Sequence, residues 1–149
     1  MNNPSETEIL LAEDNKNDRE LILRALKKNK LTCKIITVKN GEEALEYIFA
    51  TGKYLDSTHR LPKVILLDLK LPKINGIEVL KKVKSDERTR MIPVVIFSSS
   101  QEERDRLECY TLGANSFVVK PIRFEKFLKV VLEIVLYWLS VNMPAYNGA

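Results

Sequence analysis

Short apolar runs rich in β-branched residues alternate along this chain with stretches whose apolar positions recur at helical spacing, and the alternation repeats five times. Strands are expected at 8–12, 33–38, Val64–Leu67, 94–97 and Ser116–Val119. The runs Val64-Ile65-Leu66-Leu67 and Val94-Val95-Ile96-Phe97 are apolar throughout, as strands are when helices cover both faces of a parallel sheet. The pattern therefore predicts an α/β fold, a doubly wound five-stranded parallel sheet with helices on both faces. Asn40 and Asn75 stand where helix N-caps belong, and Ser100 with Glu103 has capping-box spacing. The helix after Gln101 is expected to stop at Leu112-Gly113, where glycine suits a left-handed C-cap. Only 51–63, with Gly52, Ser57 and Pro62, reads as a long loop; it holds the one histidine, His59, as a solvated side chain.

Composition narrows the class. At 149 residues, with 45% hydrophobic and 30% charged positions, the chain suits one globular domain whose core needs neither disulfides nor structural metal. Residues 1–7 are polar and form no secretory signal, which places the protein in the cytoplasm. Cys33 and Cys109 lack metal spacing and read as two buried thiols. The net charge of +4 does not imply nucleic acid: Lys27, Lys28 and Lys30 close one helix, and Lys81, Lys82 and Lys84 decorate the solvent face of another. In the last helix, 124–141, 13 of 18 residues are apolar, but Glu125, Lys126, Lys129 and Glu133 interrupt the run, so no membrane span is expected. A helix on one sheet needs a single apolar stripe. The surplus points to a homodimer or partner face built from Phe124, Phe127, Val131, Ile134, Val135 and Trp138.

The candidate chemistry falls at the carboxyl ends of the strands: Glu13 and Asp14 after the first, Asp68 after the third, Ser98 after the fourth and Lys120 after the fifth. That edge of an open parallel sheet is where ligands bind. Three carboxylates in one crevice repel each other unless one is protonated or a cation joins them. Oxygen donors without Cys or His select Mg²⁺, with Mn²⁺ as a substitute. An ionised Asp beside such a cation and a lysine is equipped to attack phosphorus. Glycine-rich phosphate loops are absent from the sequence, which disfavours nucleotide binding.

The strings Leu10-Leu11-Ala12-Glu13-Asp14-Asn15, Leu66-Leu67-Asp68-Leu69-Lys70-Leu71-Pro72 with Asn75-Gly76, the strand-closing Ser98 and Val119-Lys120-Pro121 resemble the receiver domain of two-component response regulators, over about residues 7 to 140. The long loop before the third strand, the Pro93-Val94-Val95-Ile96 run and Tyr137-Trp138-Leu139 with Pro144 look more narrowly like the single-domain receivers that serve cyanobacterial phytochromes. The resemblance implies a flavodoxin-like receiver fold and a signalling protein rather than an enzyme. It also implies a sensor histidine kinase, of phytochrome type, as phosphoryl donor. It makes Asp68 the phosphoacceptor, and Glu13 and Asp14 the acidic pair holding Mg²⁺ with the Lys70 carbonyl. Lys120 becomes the phosphoryl-pairing cation, Ser98 and Phe117 the switch residues, and Pro121 a cis proline. Glu13 departs from the commoner Asp, and Phe117 lacks the hydroxyl of a Tyr. Because the chain stops soon after its last helix, output is expected through protein contacts on the face of the fourth helix, fifth strand and fifth helix, or through a phosphotransfer protein. Two other readings stay open: a phosphate-independent pseudo-receiver, and a small Asp-nucleophile phosphatase. The phosphatase commonly has a second Asp two residues on, where Lys70 stands here.

Overall fold

The computed structural model describes residues 7–56 and 61–145; Ser57 and His59 of the expected loop lie outside them. Strand β1 (Ile9–Ala12) is followed by helix α1 (Lys16–Lys28), β2 (Ile35–Val38), α2 (Gly41–Phe49), a 3₁₀ turn at Gly52–Tyr54, β3 (Val64–Leu67) and α3 (Gly76–Ser85). The chain continues through β4 (Val94–Ser98), α4 (Glu103–Thr111), β5 (Ser116–Val119) and α5 (Phe124–Leu136), whose last turn widens into a π-helical segment, Tyr137–Val141. All five strands pair in parallel in the order β2-β1-β3-β4-β5. The doubly wound sheet is therefore as expected, and its order reverses between β1 and β3, which opens a crevice beyond their carboxyl ends.

One apolar layer joins α2, α3 and Cys109 of α4 to Leu10, Ile65, Val94 and Ile96. The opposite layer joins Ile22, Ala25 and Leu26 of α1 and Phe127, Val131 and Val135 of α5 to Ile9, Leu11, Val95 and Phe97. The strands β1, β3 and β4 are buried along their whole length, whereas the edge strands β2 and β5 are mostly half-buried.

Several expectations need correction. Phe127, Val131 and Val135 recur every four residues and form the stripe that seats α5 on the sheet, so these three belong to the core and not to a partner face. Ile134 and Trp138 are partly buried against the same layer. Of the six, only Phe124 is well exposed; Ile122, Leu136 and Tyr137, outside that set, are exposed as well. Glu8, Cys33 and Lys34 fall outside the strands, while Ser98 joins β4. Cys33 is half-buried; Cys109 is buried as expected. Lys84 does not decorate a solvent face: its ammonium donates to the carbonyls of Arg90 and Ile92 and to Asn115 Oδ1, tying α3 to the approaches of β4 and β5.

The helix caps bear the local chemistry out at Asn40 and Asn75, which accept from the backbone of Glu43 and Glu78. Ser100 fails as a cap, because α4 starts two residues later than the capping box requires and the hydroxyl instead meets Asp105 Oδ2 at 2.6 Å. Gly113 lies at φ 104 with Ala114 N bonded to Cys109 O and Gly113 N to Tyr110 O, the paired bonds of a Schellman ending. The Lys120–Pro121 peptide is trans, not cis as the resemblance implied. Trans is the intrinsically preferred isomer of an X–Pro bond, and Lys120 N still completes the ladder to Ser98 O at 2.8 Å. Among the described residues no helix is long and apolar enough to cross a membrane.

Candidate functional site

The crevice at the β1/β3 reversal is lined from four strands. Glu13 and Asp14 follow β1 directly, Asp68 follows β3, Ser98 closes β4 and Lys120 follows β5. One carboxylate oxygen from each of Glu13, Asp14 and Asp68 lies within 4.8 Å of the other two. Glu13 is 1% and Asp68 7% exposed, while Asp14 faces solvent. The Lys120 ammonium contacts Glu13 Oε1 at 2.7 Å, Asp18 Oδ2 at 2.8 Å and Asp68 Oδ2 at 3.0 Å, and stands 6.0 Å from the centre of the Phe97 ring.

Local backbone chemistry holds this geometry. Asn15 caps α1 by accepting from Asp18 N, and its own amide donates to Glu13 Oε2 at 3.1 Å. The Arg19 guanidinium donates to the main-chain carbonyls of both Glu13 and Asp14 at 2.9 Å, fixing the turn that presents the acidic pair. Gly76 opens α3 against the active strand: a Cβ there would stand 2.2 Å from Asp68 O and 2.7 Å from Leu69 Cα, so only glycine admits this approach. Lys70 N donates to Asp68 Oδ1 at 3.5 Å, bending the loop back over the aspartate.

Burial governs the proton affinity of Glu13. Burial, together with the charge of Asp68, pushes its carboxyl up to about 7 in spite of the stabilising contact with Lys120. Lys120 is itself partly desolvated, which disfavours its charge, but the hydrogen bonds it donates to Asp18 and Glu13 and the charge of Asp68 outweigh this and raise its pKa. The donor set fits a hard divalent cation: three carboxylate oxygens converge, and no sulfur or imidazole is among them.

Ser98 is fully buried and its Oγ accepts from Ser100 N at 3.2 Å, so the hydroxyl is held by the β4–α4 loop. Phe117 pairs in register with Ile96 and packs, partly buried, on the α2/α3/α4 layer. The structure thus gathers Glu13, Asp14, Asp68 and Lys120 at one crevice, with Ser98 on the next strand end and Phe117 set back in the sheet. Sequence reasoning missed Asp18 and Arg19. Their signal was positional: Asn15 caps the helix, so the residues three and four further on lie in its first turn beside the β1 terminus.

The model of the response regulator receiver domain matches residues 9–132. The chain belongs to the response regulator receiver family. Members of that family generally signal rather than catalyse turnover. Among similar proteins, the response regulator Rcp1 of Synechocystis is 36% identical over 138 residues, covering 92% of each chain. A probable methanogenesis regulatory protein, FilR2 of Methanothrix harundinacea, is 40% identical over 134 residues, covering 90% of this receiver and 84% of FilR2. The solved structure of the phosphorylated cyanobacterial phytochrome response regulator RcpA superposes with a TM-score of 0.87 at 37% identity, over 95% of this receiver and 99% of RcpA. Rcp1 has also been solved in a Mn²⁺-bound form, with a TM-score of 0.87 at 33% identity over 94% of this receiver and 99% of that chain.

Proposed function

We propose that this receiver accepts a phosphoryl group on Asp68 from a sensor histidine kinase of phytochrome type, in a Mg²⁺-dependent reaction, and passes the signal on through a changed protein-binding face. The observation that carries the reading is the position of Asp68. It stands inside a trio of acids suited to a divalent cation, 3.0 Å from a lysine ammonium.

In the transfer, an Asp68 carboxylate oxygen attacks the phosphorus of a phosphohistidine. The P–N bond breaks, its electron pair returns to the imidazole, and an acyl phosphate forms on Asp68. Glu13 and Asp14, with Asp68 itself and the Lys70 carbonyl, would hold the Mg²⁺, which neutralises charge on the moving phosphoryl oxygens. Lys120 places a further positive charge beside the same oxygens. Ser98, released from Ser100 N, hydrogen-bonds the new phosphoryl group, and the space it vacates lets Phe117 move further into the protein. Phosphorylation thereby shifts an existing equilibrium of the α4–β5–α5 face.

Similarity to the phytochrome response regulator RcpA supports the choice of a phytochrome-type kinase, and the cytoplasm is the proposed location of the exchange. Self-association, the other expected partnership, would rest on the exposed Phe124. The direct test is phosphotransfer from a phytochrome-type kinase labelled with radioactive ATP. Label should leave the kinase for this receiver only when Mg²⁺ is present, and should not reach Asp68→Asn. Label that remains on the kinase contradicts the proposed donor.

A further inference from the structure

Lys120 carries three ammonium protons and meets three carboxylates, yet only two of them belong to the converging acidic trio. Glu13 and Asp68 are members; Asp18 is not. Asp18 comes from α1, an element that contributes no other side chain to the Lys120 contacts, and the lysine-to-aspartate bond spans 102 positions of sequence. Its backbone is fixed because Asp18 N donates to the Asn15 cap at 2.9 Å, and the first turn of a helix favours a carboxylate. Glu13 is differently committed: Oε1 faces Lys120 while Oε2 accepts from Asn15 N.

Resting on the receiver reading above, the geometry points to Asp18 as a positioning residue for phosphoryl transfer, one that holds the Lys120 ammonium in place while Glu13 and Asp68 are drawn to a divalent cation and the arriving phosphoryl group. Glu13 and Asp68, which Lys120 contacts, are also the residues that would hold a divalent cation with Asp14. Asp18 stands outside that set and is the carboxylate partner Lys120 keeps. A lysine has four rotatable side-chain bonds, and without that tether its charge is distributed over several positions instead of one. Asp18 acts through Lys120 and touches no reacting atom.

The test is the kinetics of Asp68 phosphorylation by acetyl phosphate in the full chain. A carboxylate oxygen of Asp68 attacks phosphorus and acetate departs. Asp18→Asn keeps shape and the helix start but removes the anion. It is expected to lower the maximal rate at saturating acetyl phosphate and Mg²⁺ by about tenfold or more, as one charge-assisted hydrogen bond is worth. Half-saturating acetyl phosphate and the melting temperature should stay near wild type, and Asp18→Glu should recover part of the rate. A residue that merely supports the fold would instead lower the melting temperature and gain nothing from Asp18→Glu. Asp18→Ser provides a second neutral variant should Asp18→Asn fold poorly. Wild-type maximal rates in the neutral variants, with the wild type labelled normally, overturn the inference and leave the receiver reading intact. Failure of the wild type itself to take up phosphate overturns both.

Discussion

Lys120 Nζ donates to Asp68 Oδ2 across 3.0 Å, although 52 positions of sequence separate them. The two residues terminate β5 and β3, and β4 lies between these strands. Neighbouring strands are about 4.8 Å apart, so the contact bridges roughly twice that spacing, a span only a long side chain can make. The partly buried pair is the electrostatic centre of the crevice, and its neighbours determine what chemistry the crevice supports.

The approach of α3 to Asp68 depends on Gly76. Gly76→Ala would push a methyl carbon against the carbonyl of Asp68 and the Cα of Leu69, at 2.2 and 2.7 Å. Backbone atoms cannot rotate aside as a side chain can. We expect a loss of about 1–3 kcal/mol, measured by chemical denaturation, together with slower phosphorylation because Asp68 itself is displaced.

Glu13 makes stability depend on pH. Its carboxyl rises from 4.5 to about 7 on folding, first through burial and then through the charge of Asp68. Between those values the folded chain holds a proton that the unfolded chain has released, so the contribution is present in full below the lower value and is lost as pH rises through the upper. Without divalent metal, urea midpoints should fall from about pH 5 to about pH 7 and level off above, and Glu13→Gln should flatten that slope. An equal slope in both proteins would refute the assignment.

Much of this was legible in advance because the strands buried on both faces wear their burial as unbroken apolar runs. Val64–Leu67 is matched residue for residue, and the acids and the amine fell just beyond the strand ends where a parallel sheet places them, with Ser98 as the last residue of β4. The edge strands were overextended: Glu8, Cys33 and Lys34 continue the extended pattern, but regular pairing begins only at Ile9 and Ile35. Asp18 was missed because an acid in the first turn of a helix is also an ordinary dipole partner, and nothing local shows that a lysine from β5 reaches it. The surplus of apolar residues in α5 was visible, but not which way each faced. A helix lying on a twisted sheet buries one stripe, and the choice among several apolar stripes is made by the shape of the opposing layer.

The division of α5 into two faces predicts opposite outcomes for two phenylalanines. Phe127 is 4% exposed, with its ring centre 5.3 Å from that of Phe97, whereas Phe124 is 49% exposed. Phe127→Ala should cost about 3–5 kcal/mol in thermal or urea unfolding. Phe124→Ala should stay within about 0.5 kcal/mol.

Ser98 separates phosphate uptake from response. Its hydroxyl lies at the end of β4, buried, where it accepts only from Ser100 N among the hydrogen bonds described. Ser98→Ala should lose about 1 kcal/mol of stability and still acquire phosphate. Its amide spectra in nitrogen–proton NMR should then change little in α4 and β5 upon phosphorylation, whereas the wild type shows shifts there. Equal shifts in both proteins would remove Ser98 from the switch.

The central claim is that Asp68 carries phosphorus, and intact-protein mass spectrometry after incubation with acetyl phosphate and Mg²⁺ addresses it most directly. The account predicts the added mass of one phosphoryl group per chain, removed by hydroxylamine, dependent on Mg²⁺ and absent from Asp68→Asn. An unmodified wild-type mass, or the same adduct on Asp68→Asn, would contradict it.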